Sequence, residues 1–389
     1  MSKRKLNRRQ QWRIEKIQSE KASRADRKDK KFNQEFLSGD LSDEIKGLVI
    51  AHYGKTIDVE PFDAVLSDKV TEDNSDKTSS EKQVYRCHVR ANVDALVTGD
   101  VVVWRAGADK TGVIEARLER HSLLQRPDNY GLLKPVASNI DRIVIVVATE
   151  PTPYANLIDR YLVAAETLNI KPALLFNKSD LITDENRAAI DSLCQCYSDL
   201  GYEVLKTSAN ELDHCESTLL DWLRNYTSVF VGQSGVGKSS LIRSILGDQS
   251  IKVGALSELS RKGTHTTTTA KLFHIPDIKV NSFKEDDSKE NSTEQDNAEQ
   301  ADLEKRGGKI VDSPGIREFG LWHINEQELL EGFVELRPYL GYCRFRDCKH
   351  NSEPRCAILG AVEDGKISQQ RMASYRRIRD TLNDKETYQ

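Results

Sequence analysis

Between residues 45 and 125 apolar and polar positions alternate in short runs: "GLVIAHYG", "VYRCHVRA", "DVVVWRAG" and "GVIEARLER". Branched and aromatic side chains dominate these runs, Gly and Asp punctuate them, and no helical period intervenes, which predicts strands. Short strands without a partner layer close on themselves, so this region is expected to be a small β-barrel of the OB-fold type. From 140 to 322 the period changes. The apolar run "DRIVIVVAT" is followed by the amphipathic "NLIDRYLVAAETLN", and "PALLF" by "ENRAAIDSLCQCYSDL". "YEVLK" precedes "ELDHCESTLLDWLRN", and "SVFVG" precedes "KSSLIRSIL". Strand–helix alternation of this kind predicts a mostly parallel sheet covered by helices on both faces. Beyond about 325 two helical segments, "NEQELLEGFVEL" and "ISQQRMASYRRIRDTLND", flank a cysteine-rich stretch.

This pattern divides the chain into four expected regions: 1–44, a barrel at 45–125, an α/β domain at 126–324 and a mostly helical C-terminal module at 325–389. Charge sharpens the division. The net charge of −4 conceals thirteen Lys/Arg against five Asp/Glu in residues 1–36, and nine Asp/Glu against four Lys/Arg in residues 281–306. The basic arm, with Trp12 within it, suits contact with nucleic-acid phosphates, since each neutralised phosphate releases counterions. The acidic stretch has too few apolar residues to offset its ordering entropy and reads as an insert between two strands. No apolar run is long enough to span a bilayer. The N-terminus lacks the apolar segment of a secretory signal. Seven cysteines fit a reducing compartment, so a cytoplasmic location is expected; the chain is also expected to be a monomer.

The chemistry concentrates in a few short motifs. "GQSGVGKSS" (232–240) lies between a strand and a helix. Gly232, Gly235 and Gly237 let the backbone amides of Gln233, Ser234 and Val236 curl toward one cluster of oxygens, at the positive end of the following helix. In a loop of this form Lys238 reaches the β and γ phosphates, Ser239 offers its hydroxyl to Mg²⁺, and Ser240 counts among the GTP-binding residues. "NKSD" (177–180) follows "PALLF". Asp180 can accept from the two N–H donors on one edge of guanine, whereas adenine would leave that carboxylate unpaired. Asn177 can brace the phosphate loop, and the Lys178 stem can lie along the ring face. In "TSA", Ser208 and Ala209 sit where a backbone N–H can meet the guanine oxygen. "DSPG" (312–315) offers Asp312 to Mg²⁺ and the Gly315 N–H to the γ phosphate. In "GTHTTTT" (263–269) one threonine can complete the Mg²⁺ shell. Thr267 is favoured, with Thr266 and Thr268 as alternatives.

The order of these motifs is unusual. The base-reading pair precedes the phosphate loop, so the reading is a circularly permuted GTPase domain, a rearrangement that a doubly wound sheet tolerates. Behind it, Cys343, Cys348, His350 and Cys356 form a complete tetrahedral zinc set, which predicts one structural ion per chain. Cys87, Cys194, Cys196 and Cys215 lack partner ligands and read as packing residues.

Together, the permuted order, the barrel in front and the Cys/His spacing behind resemble the RsgA family of small ribosomal subunit biogenesis GTPases. That resemblance implies GTP hydrolysis to GDP and phosphate during late maturation of the 30S subunit. It also implies contact with 16S rRNA, stimulation by the subunit and departure afterwards. Ile316 stands where many GTPases place a water-orienting Gln, so slow intrinsic turnover is expected, with His265 as the candidate for orienting water. The alternative is an RNA-binding assembly scaffold with a regulatory nucleotide site. The intact "GVGKS" and "DSPG" motifs speak against it.

Overall fold

A computed structural model describes residues 41–54, 56–62, 83–127, 132–208, 212–247, 270–276, 307–312 and 324–386, with the backbone alone at 212–217 and 383–386. Residues 1–40 of the basic arm, the insert 281–306, Ala209, His265, Thr266, Thr267, Thr268, Gly315 and Ile316, and the Cys215 side chain, lie outside this description. The chain divides into two compact units, one ending at Arg120 and one beginning at His121.

In the first unit, β1 (Ile45–His52), β2 (Ile57–Pro61), β3 (Tyr85–Val89), β4 (Val101–Ala106) and β5 (Thr111–Arg117) form the barrel expected from the alternation. β1 pairs antiparallel with both β2 and β4, β2 antiparallel with β3, β3 parallel with β5, and β5 antiparallel with β4, so the ring closes. Register shifts between Val49 and Ala51 in β1, and between Val103 and Trp104 in β4, supply the bends that closure needs. Val49, Ile57, Val59, Cys87, Val102, Trp104 and Ile114 fill the interior. Burial pushes the Cys87 thiol up to about 12, which makes it the inert packing residue expected.

The second unit opens with an antiparallel hairpin, β6 (Leu123–Pro127) and β7 (Leu133–Ser138), which the sequence pattern did not announce. Its main sheet comprises β8 (Arg142–Ala148), β9 (Lys171–Asn177), β10 (Glu203–Lys206), β11 (Thr227–Val231), β12 (Lys271–His274) and β13 (Lys309–Asp312), in the order β10-β9-β8-β11-β13-β12. All pairs are parallel except β12 with β13. The helices are α1 (Ala155–Thr167), α2 (Asp184–Asp199), α3 (Leu212–Leu223) and α4 (Lys238–Leu246). Every residue of β8 is buried, as a strand with both faces covered must be. Val144, Phe230 and Ile310 of the sheet pack with Leu219, Leu223, Leu241 and Ile245 of α3 and α4. Cys194 is buried on α2, while Cys196 of the same helix is only partly covered.

The C-terminal module contains α5 (Glu326–Gly332), α6 (Ala357–Glu363) and α7 (Gln369–Glu386). α5 starts at a capping box formed by Asn325 and Glu328. It ends sooner than its apolar pattern suggests. A Cβ on Gly332 would lie 2.5 Å from Val163 Cγ1, so the glycine is a point of close contact with α1 at which the helix stops. Both α5 and α7 pack on α1. Among the described residues, no helix is long and apolar enough to cross a membrane.

Candidate functional site

The C-terminal ends of the parallel strands converge on one rim, the edge at which open α/β sheets hold ligands. β11 delivers the loop 232–237, and α4 starts at Lys238 with Gly237 as its N-cap at φ 94°. Two of the glycines have a steric reason. Gly232 lies at φ 139°, and a Cβ there would stand 2.2 Å from the Val146 carbonyl oxygen. A Cβ on Gly237 would stand 2.3 Å from Asn177 Nδ2. Only glycine fits positions that combine positive φ with so close an approach. Lys238 is buried, and its Nζ donates to the carbonyl oxygens of Gly232 at 2.6 Å and Gln233 at 2.7 Å. The ammonium therefore lies over the loop, at the positive end of α4. Val236 is buried, Ser239 is half-buried, and Ser234, Gly235 and Ser240 are exposed.

Beside this loop, β9 ends at Asn177, whose side-chain amide donates to the Val236 carbonyl at 2.8 Å. Lys178 then turns through the left-handed region at φ 59° and places Asp180 in a short 3₁₀ turn, Ser179–Leu181. Ser208, just past β10, donates its hydroxyl to Asp180 Oδ1 at 2.6 Å. The backbone joins the same two segments, because Thr207 N–H donates to the Phe176 carbonyl and Ser179 N–H to the Thr207 carbonyl. Asp312 closes β13, whose Val311 pairs with Val229 of β11. Structure thus gathers Asn177, Lys178, Asp180, Ser208, the 232–240 segment and Asp312 at one end of the sheet. Sequence reasoning overlooked the segment after β8. There Thr149 Oγ1 donates to the Lys178 carbonyl at 3.1 Å, and the Glu150 carbonyl accepts from Lys178 Nζ at 2.7 Å. No motif marks these residues, since their partners are distant in sequence.

The second constellation is Cys343, Cys348, His350 and Cys356, whose donor atoms all lie within 4.8 Å of one another. Cys343 Sγ is 3.7 Å from Cys356 Sγ and 3.6 Å from His350 Nδ1, and His350 Nδ1 is 3.3 Å from Cys356 Sγ. A tetrahedral zinc ion with ordinary bond lengths sets its ligand atoms about 3.8 Å apart for two sulfurs and about 3.6 Å for sulfur and nitrogen. The donor set and spacing therefore fit a closed zinc site with Nδ1 as the imidazole ligand. Burial holds the His350 imidazole below its ordinary value, which favours the neutral ring a metal requires. Burial pushes the Cys348 thiol up to about 12, so the thiolate form depends on a nearby cation. Glu353 shapes the loop by accepting from the backbone N–H groups of Lys349, Asn351 and Ser352. Those bonds hold its carboxyl down at about 2.

A family model described as RsgA GTPase matches residues 117–281. A curated relative from Marinobacter nauticus, named small ribosomal subunit biogenesis GTPase RsgA, is 50% identical over 387 residues, covering 99% of this chain and 98% of its own. The protein of that name from Hahella chejuensis is 48% identical over 389 residues, covering 100% of this chain and 99% of its own. Among solved structures, YjeQ from Thermotoga maritima superposes with a TM-score of 0.62 at 26% identity, over 87% of this chain and 98% of that one. YloQ, described as a circularly permuted GTPase, gives a TM-score of 0.61 at 26% identity, over 88% of this chain and 96% of that one.

Proposed function

Because the chain belongs to the RsgA family of small ribosomal subunit biogenesis GTPases, it is a GTP hydrolase of small-subunit assembly, and we propose that it acts by binding the 30S subunit directly. In this reading it hydrolyses GTP to GDP and phosphate under stimulation by that subunit and leaves afterwards. Asp180 accepts from the guanine edge, held in place by the Ser208 hydroxyl, and the Ala209 N–H meets the guanine oxygen. Lys178 covers the ring face. The loop amides from Gly232 to Gly237, with Lys238, grip the β and γ phosphates. Ser239, Thr267 and Asp312 would hold Mg²⁺, and the Gly315 N–H would contact the γ phosphate. Mg²⁺ supplies neutralisation of the charge that develops between the β and γ phosphates. His265 orients the attacking water in place of the glutamine absent at Ile316. The observation that supports this reading most is the Asn177–Val236 hydrogen bond of 2.8 Å, which joins the base-reading and phosphate-holding loops into one pocket.

The basic arm and the barrel are the surfaces we assign to 16S rRNA, and the zinc ion to folding the C-terminal module. We place the protein in the cytoplasm as a monomer. The deciding experiment is GTP turnover measured alone and with 30S, 50S and 70S particles, alongside cosedimentation with 30S at rising salt. Stimulation by 30S above the other particles, and salt-sensitive cosedimentation, are expected. Turnover indifferent to every particle would instead favour an assembly scaffold.

A further inference from the structure

Helix α7 grips two parts of the second unit at once. Arg371, 2% exposed, donates through Nη1 to Asp159 of α1, and through Nε and Nη2 to Glu335 at 2.6 and 3.1 Å. Its guanidinium lies 4.5 Å from the Phe333 ring. Asp159, fully buried, also accepts from the Tyr197 hydroxyl of α2 at 2.8 Å, and that hydroxyl lies 3.3 Å from the Ala155 carbonyl oxygen at the first residue of α1. Asn156 adds a 3.1 Å bond to the Ser374 hydroxyl. Farther along α7, Arg376 donates to the His350 and Asn351 carbonyls, and Arg379 to the Lys349 carbonyl.

An apolar contact would hold two helices together at least as well as a buried ion cluster, whose desolvation offsets much of its attraction. What the cluster adds is direction: a bidentate guanidinium fixes where its partners sit. The partner it fixes is the start of α1. That helix follows directly on the segment 149–154, where Thr149 and Glu150 hold Lys178. In the same segment, Pro151 approaches the phosphate loop, 3.7 Å from where a Cβ on Gly235 would stand.

We propose that Arg371, a residue of the C-terminal module, is a positioning residue for guanine-nucleotide binding. Through Asp159 and Tyr197 it sets the start of α1, and with it the 149–154 segment that holds Lys178 beside the phosphate loop. The inference rests on the nucleotide pocket proposed above, and the test separates the two. Fluorescent GDP is titrated into the full-length, zinc-loaded protein, with zinc content and thermal midpoint measured in parallel. Arg371→Met should weaken GDP binding about tenfold, within the usual range of site-to-site coupling, while zinc stays bound. Arg371→Lys should fall between it and the wild type. Arg337→Ala, which removes the exposed Arg337–Glu166 ion pair between the same module and α1, should leave affinity unchanged. A folded Arg371→Met protein with wild-type affinity overturns the proposal. Should that variant fail to fold, hydrogen exchange on the wild type decides. GDP is expected to slow exchange across 369–380, and unchanged exchange there overturns the proposal. Wild-type protein that does not bind guanine nucleotide at all would sink the pocket itself.

Discussion

Asn177 and Val236 lie fifty-nine residues apart in the chain, yet the Asn177 side chain donates to the Val236 carbonyl at 2.8 Å. The amide is buried, and it meets the phosphate loop one residue before Gly237. Replacing Asn177 by Ala leaves a buried carbonyl without its donor, at a cost of about 1–3 kcal/mol. GTP and GDP affinity should both fall by about 10- to 100-fold, because the bond belongs to the pocket and not to the transition state. A titration showing full affinity with reduced kcat would contradict this placement.

Ser208 donates its hydroxyl to Asp180 Oδ1 from 2.6 Å away and so fixes the direction of the carboxylate to which we assign base reading. Asp180→Asn exchanges an acceptor for a donor, so xanthine nucleotides should replace guanine nucleotides as the preferred ligand. Ser208→Ala should keep the guanine preference and weaken binding several-fold, near the ~1 kcal/mol of one hydrogen bond. Competition between GDP and XDP for each variant measures both effects, and an unchanged preference in Asp180→Asn would refute the base-reading role.

Gly237 combines φ 94° with a neighbouring amide nitrogen 2.3 Å from where its Cβ would stand. Gly237→Ala must strain the backbone or break the Asn177 bond, and either route costs about 1–3 kcal/mol. Nucleotide affinity should fall at least about tenfold. Gly54 also has a positive φ, of 79°, with nothing within 4 Å, so Gly54→Ala there serves as the control for backbone strain without a clash.

His265 is assigned to water and not to nucleotide binding. His265→Ala should therefore reduce 30S-stimulated turnover far more than GDP affinity. Equal stimulated rates for variant and wild type would remove the imidazole from the mechanism.

Alternation exposed the barrel, whose strands bury one face, as in β4, and a continuous apolar run exposed the central sheet, where both faces are buried, as in β8. The loop 232–237 was legible because tight backbone curvature demands glycine at fixed spacing, and the Cys/His cluster because four donors fall within one short stretch. What stayed hidden depends on partners that only folding brings together. Lys178 meets Glu150 across 28 residues, and Arg371 meets Asp159 across 212. In isolation, Arg371 is one more cation on a helix of low mean hydropathy, and its burial has no local signature. The β6–β7 hairpin escaped notice for a related reason. Its strands are short, and Pro127 and Pro135 interrupt the alternation that marks a strand.

The Cys343–Cys356 cluster makes the last prediction, since its ligands must shed protons before they can hold zinc. His350 is kept below its ordinary value of 6.5 by burial. A buried imidazole of that kind favours the folded loop above 6.5, and the advantage is lost as pH falls toward the depressed folded value. The three thiolates act in the same direction, because each proton they regain displaces the metal. Zinc retention should therefore decline as the pH is lowered, and the decline should coincide with loss of the α6 and α7 helical signal. A chelator at neutral pH should produce the same loss, and Cys348→Ser should mimic it. Glu353→Gln should preserve the ligand set while weakening three backbone hydrogen bonds that shape the loop, so zinc should leave faster with unchanged stoichiometry. Metal analysis beside circular dichroism over this pH range provides the check. Helical signal that survives complete zinc removal would show that the ion does not hold this module together.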